Sequence, residues 1–138
     1  MIYTVKNEGK KYAYDSASGA VLALNNLQYK MMGAIVPPIS PASLTSLRYE
    51  LAKFDSNDIS DAFDAIYELA QNGILYAEDD GVIRLMASGE YACPSEAVAS
   101  ALLAKAFEGK SEATFVTVDG DFSAAAKKAA ETTGTKLT

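Results

Sequence analysis

The chain contains no histidine and only one cysteine, Cys93, and each shortage excludes chemistry. Without histidine there is no imidazole for acid–base work near neutral pH, no Ser-His-Asp or Cys-His arrangement, and few ways to hold zinc. A lone cysteine allows neither an internal disulfide nor a thiolate metal site made by this chain alone. Long apolar runs are missing as well, and nothing approaches the ~18 residues needed to span a bilayer. The opening run Met1-Ile2-Tyr3-Thr4-Val5-Lys6 reads as a strand, without the apolar core of a signal peptide. A cytoplasmic protein with no membrane partner is the expectation. Basic residues are the minority, 12 Lys and Arg against 18 Asp and Glu, for a net charge of −6. That sign repels phosphate backbones and anionic lipid, so nucleic acid is not an expected partner.

What is present suits a folded protein. The 138 residues are 49% apolar and 22% charged, with no low-complexity tract. This is enough for one domain, or for one compact domain with a partial second.

Three strand-like runs open the chain: Ile2 to Lys6, Lys11 to Asp15 and Ala20 to Leu24, separated by turns at Asn7-Glu8-Gly9 and Ser16 to Gly19. Turn residues bounding β-branched and aromatic residues are the hairpin signature. Tyr12 and Tyr14 fall on one face of the second run. The third run is apolar on both faces, which calls for cover on both sides or for a partner. A helical pattern from about Asn26 to Ile35 stops at Pro37-Pro38. Ser40-Pro41 opens a second helix, with Leu44, Leu47, Leu51 and Phe54 on one stripe. Asp55, with Asp58 three residues on, opens a third, whose buried face is Ile59, Phe63, Ile66 and their neighbours. Asn72-Gly73 closes it. Ile74 to Ala77 and Val82 to Met86, joined through Asp79-Asp80-Gly81, read as a hairpin in the position of a wing. The helix pattern reads as helix-turn-helix.

Beyond residue 86 the pattern is α/β. A helix starts at Pro94, Ala113 to Val118 is a buried-type strand, and Phe122 to Thr133 is an alanine-rich helix ended by Gly134. Lys136-Leu137-Thr138 begins another strand. So few strands make no stable parallel sheet alone. This part must pack on the first, form a homodimer, or be a remnant of something larger. The expected fold class is therefore α+β: a three-stranded antiparallel sheet with a winged helix-turn-helix of three helices over residues 1–86, then a short α/β extension over 87–138.

The run Tyr14-Asp15-x-x-Ser18-Gly19-Ala20-Val21-x-x-Leu24-Asn25-x-Leu27-x-Tyr29, with Gly73-Ile74-Leu75-Tyr76-Ala77-Glu78-Asp79 after the helices, resembles the precursor-peptide recognition element of ribosomal peptide-modifying systems. It is similar to the pyrroloquinoline quinone biosynthesis protein D fold, in the form found at the N-terminus of radical SAM maturases that crosslink SCIFF-type precursors. The resemblance covers roughly residues 1–80. It implies a leader peptide added as a strand beside Val21, Leu22, Ala23 and Leu24 and lying against the third helix, where Asp61, Asp64, Tyr67 and Glu68 are the candidate contacts. Strand addition supplies main-chain hydrogen bonds, and flanking pockets supply specificity. It also implies a separate modifying enzyme as partner, and the missing histidines and cysteines lead to the expectation of no catalysis and no cofactor in this chain.

After residue 85 the likeness falls away. A maturase barrel would carry a Cys-x3-Cys-x2-Cys loop, and with Cys93 as its first ligand the next positions are Ala97 and Ser100. An iron–sulfur cluster held this way needs three thiolates. Either this part is a degenerate, truncated barrel fragment of such a maturase, or the likeness there is accidental. A winged-helix DNA-binding regulator is the rival from another class. A recognition helix should present Lys or Arg, and none lies between Asn57 and Gly73. The more ordinary reading of Asp61, Asp64 and Glu68 is a solvated helix face. Asp119-Gly120-Asp121 reads as a turn, and Cys93 as a structural thiol.

Overall fold

A computed structural model describes residues 1–138. Its order is β1 (Ile2–Asn7), β2 (Lys10–Asp15), β3 (Val21–Leu24), α1 (Asn26–Ala34), α2 (Ser43–Glu50), α3 (Ser56–Gln71), β4 (Val82–Met86), α4 (Glu96–Phe107), β5 (Glu112–Val118), α5 (Ser123–Thr133) and β6 (Lys136–Leu137). The fold is α+β. β1, β2 and β3 form one antiparallel sheet in that order, and β4, β5 and β6 a second, parallel one.

The helices start where side chains satisfy free N–H groups. Asn25 and Gln28 form a reciprocal capping box on α1, Asp55 accepts from Asn57 and Asp58 at α3, and Ser95 accepts from Val98 at α4. α5 ends on Gly134 in the left-handed region at φ 71°, as a helix stop favours. α2 begins later than Ser40-Pro41 suggests: Pro41 and Ala42 form a turn first, and no side chain caps the helix.

β2 is the centre of the antiparallel sheet, and both of its faces are covered. Ala13 faces a core made by Met31, Leu47, Ile59, Phe63, Ile66 and Leu75 of the helical layer. Tyr12 and Tyr14, with Val5 and Val21, face the C-terminal part and share a core with Leu85, Leu102 and Phe107. The doubly apolar third strand is explained the same way: Leu22 and Leu24 pack toward the helices and Val21 toward the C-terminal part. The C-terminal part packs on the first. α4 carries six buried residues in its twelve and lies against β1 and α5. The alanines Ala125, Ala126, Ala129 and Ala130 give α5 a flat face for close approach to α4.

The wing is a correction. Residues Ile74 to Ala77 form no strand, and Val82–Met86 does not fold back on them. β4 pairs in parallel with β5 instead, Val82 opposite Thr114 through Met86 opposite Val118. Its other edge is taken by the β2–β3 turn: Arg84 N–H donates to Ser16 O at 2.8 Å and Met86 N–H to Gly19 O at 2.9 Å. A strand with partners on both edges has no bond left for a hairpin mate. β4, placed by its sequence at the end of the first unit, thus belongs to the parallel sheet.

Candidate functional site

Asp15 is fully buried and organises the turn before β3. One carboxylate oxygen accepts the N–H of Ala17 at 2.8 Å and of Ser18 at 3.4 Å, while the other accepts the N–H of Ala77 at 2.9 Å. Ser18 Oγ donates to Ile74 O at 2.7 Å and accepts from Ala20 N–H at 3.2 Å. Gly19 sits at φ +87°, and a Cβ there would lie 3.1 Å from the Leu85 backbone nitrogen. Only glycine combines that dihedral with so close an approach. The Asp-x-x-Ser-Gly turn and the Ile74–Ala77 run, far apart in sequence, are thereby stitched together. Their polar groups are consumed in doing so, which makes them supports and not contacts.

The open groups lie one strand further on. Val21 N–H donates away from β2, to Tyr91 O at 2.9 Å, and Asp15 N–H donates to Ala20 O. With Val21 opposite Tyr14 and Ala23 opposite Tyr12, Val21 and Ala23 therefore turn their main-chain groups outward, and Leu22 and Leu24 pair with β2. Asn25 N–H is taken by Gln28 Oε1 at 2.9 Å. What remains at this edge is the Val21 carbonyl and both main-chain groups of Ala23. Ala23 is also the exposed residue of the strand.

The third helix, α3, approaches this edge at both of its ends. Its exit is tied to the turn before β3 through Ser18 and Ile74, and its first turns share a groove with Asn25, the residue that follows β3. There Asn25, Leu27, Phe54, Asp58, Asp61 and Ala62 line a groove of about 430 Å³. Asp58 and Asp61 meet no cation, since the only side-chain ion pair of the chain joins Arg84 and Asp80. Of the helix contacts expected from sequence, the structure brings Asp61 alone to this groove. Asp64 and Glu68 are exposed on the outward face. Tyr67 stacks on Phe63 at 5.8 Å, on the flank that meets α2 through Arg48 and Ser60. Asp58 and Ala62 were not singled out as contacts. At about 100° per residue the helical wheel separates the two flanks of Ile59–Phe63–Ile66, but which flank meets β3 depends on where α2 packs.

A second open edge exists on β1. By the same register Ile2, Thr4 and Lys6 turn their main-chain groups away from β2. Beside Ile2 and Thr4 lies the largest hollow, about 590 Å³, lined by Met32, Ile35, Pro37 and Tyr76, with Asp79 at its mouth.

The remaining candidates behave as structural groups. Cys93 is buried, its Sγ 3.4 Å from Ser95 O, and burial pushes the thiol up to about 11, far from a reactive thiolate. Asp121 accepts Ser123 N–H at 2.8 Å at the start of α5, and hydrogen bonding from Ser123 holds its carboxyl below the usual range. No three His, Cys, Asp or Glu side chains gather as a metal would need, and no helix is long and apolar enough to cross a membrane. No protein-family model matches this sequence, and no curated protein does.

Proposed function

We propose that this chain is a peptide-recognition element: it takes the leader segment of a ribosomally made precursor as an added strand at β3 and presents it to a separate modifying enzyme. The observation that carries the reading is the unpaired main chain of Ala23, exposed on a sheet edge whose following residue Asn25 lines a groove with two unpartnered carboxylates. Backbone pairing would give affinity and the groove would give preference, as strand addition requires. The stitching of the Asp15–Gly19 turn to Ile74–Ala77 adds support, because the two runs that carry the resemblance act as one structural unit. The β1 edge is the less favoured seat, since its hollow is mainly apolar and carries a single carboxylate at its mouth.

The chemistry of the modification belongs to the partner. With one buried cysteine and no histidine, the residues present do not fit an iron–sulfur cluster. The parallel order of β4, β5 and β6, joined by α4 and α5, favours reading this part as the opening units of a degenerate βα barrel, a likeness of fold alone. DNA binding draws no support: α3 carries no Lys or Arg and the wing is missing.

The test is a titration of the intact chain with synthetic leader segments of short peptides encoded beside its gene, followed by fluorescence anisotropy. The reading expects a dissociation constant below about 100 μM for one of them. Binding of duplex DNA that weakens steeply with salt, with no leader bound, would overturn it.

A further inference from the structure

We propose that the Glu90–Pro94 segment of the C-terminal part completes the peptide site, acting as its second wall and fixing the register of the added strand at one residue. This rests on the reading that the β3 edge takes an extended peptide. The occupant is an extended segment with an apolar side chain opposite Ala23 and a lysine or arginine on its N-terminal side.

The register follows from what is already spoken for. Tyr91 O occupies Val21 N–H at one end, and Gln28 Oε1 occupies Asn25 N–H at the other. Between these two stops Ala23 alone offers both N–H and C=O, so one residue of an added strand can exchange both bonds. Antiparallel addition is the better pairing per residue, and it sets the N-terminal side of the peptide at the Asn25 end.

Side-chain directions follow from the register. A residue paired with Ala23 points its side chain to the same face as Ala23. On that face Tyr12, Ala23, Tyr91 and Pro94 border a groove of about 440 Å³, with Lys10 and Glu90 also lining it. Two aromatic rings and a proline favour an apolar or aromatic side chain there. The residues on either side point to the opposite face, toward the helical layer. At the Asn25 end that layer presents Asp58 and Asp61, both exposed and neither paired with a cation. A cation seated between them would be favoured by charge complementarity, against the net charge of −6 of the whole chain. With only one full main-chain pair available, these two side-chain preferences carry most of the selectivity.

The experiment selects ligands for the intact chain from a random dodecapeptide library displayed on phage, then measures the winners as synthetic fluorescein-labelled peptides. The winners are expected to share an aromatic or branched apolar residue preceded, within three positions, by lysine or arginine. Tyr91→Ser should weaken them about tenfold and relax the preference for the apolar residue. Asp58→Asn with Asp61→Asn should relax the preference for the cation alone. Circular dichroism checks each fold, and Pro94→Ser, at an exposed position, serves if Tyr91→Ser unfolds the chain. Winners that lose binding with Ala23→Pro yet are unmoved by Tyr91→Ser and Pro94→Ser would sink the wall while leaving strand addition standing. Winners unmoved by Ala23→Pro would sink both.

Discussion

A single buried carboxylate does much of the local organising. Asp15 accepts three main-chain N–H groups, from Ala17, Ser18 and Ala77, in a site closed to solvent. Removing the acceptor strands buried donors at about 1–3 kcal/mol each. Asp15→Ala should therefore cost about 3 kcal/mol or more in urea unfolding, and a loss under about 1 kcal/mol would contradict this account of the turn. The tyrosines give a pH prediction. Burial, and then the charge of Asp15, pushes the Tyr76 phenol up to about 12. Burial raises Tyr14 and Tyr3 as well. A phenol whose folded value lies above its unfolded value of about 10 favours the fold fully below pH ~10, and that contribution is lost as pH rises from about 10 toward 12. Stability should thus fall steeply across that alkaline window, and absorbance near 295 nm should show these phenols ionising after the rest. Early, uniform ionisation of all eight tyrosines with the fold intact would contradict it. The Asp-x-x-Ser-Gly turn was legible in sequence as a motif, but not as a staple, because Ile74 and Ala77 close it from more than fifty positions away.

At the scale of elements, the strands and helices followed from turn residues, capping side chains and apolar spacing, and these are local. Asp55 at α3, the Gly134 stop and the shared face of Tyr12 and Tyr14 were all readable for that reason. The wing was misread because pairing is not local. Val82 to Met86 has the composition of a strand whichever neighbour it takes, and its partners are β5 and the Ser16–Gly19 turn. The candidate site shows the same division. The Ala20–Leu24 run reads from sequence as apolar on both faces, yet its main-chain groups divide in alternation, so Ala23 is the open position. Of the α3 contacts expected from sequence, only Asp61 lines the groove beside Asn25. Tyr67 went to the α2 flank, a choice that depends on helix packing.

At the scale of the molecule, the antiparallel sheet is a shared wall. Val5, Tyr12, Tyr14 and Val21 are buried against the C-terminal part, and β4 leaves the first part to join the second sheet. Uncovering four such side chains forfeits on the order of 6–12 kcal/mol, comparable with the roughly 5–15 kcal/mol that holds a typical domain together. A chain cut after Met86 should therefore lose its cooperative urea transition and bind an apolar dye, whereas a sharp, native-like transition would show that the first part stands alone. The same interlock brings Tyr91 to the β3 edge and ties the peptide-binding proposal to the intact chain. Two single substitutions on the intact chain test that proposal most directly. The N–H groups of Ala23 and Thr4 both point away from β2, so proline at either position removes an edge donor without breaking a ladder bond. In a titration of a bound leader peptide, Ala23→Pro should weaken binding at least tenfold and Thr4→Pro should leave it within about twofold, with both folds intact by circular dichroism. Unchanged binding in Ala23→Pro, or loss confined to Thr4→Pro, would contradict the account.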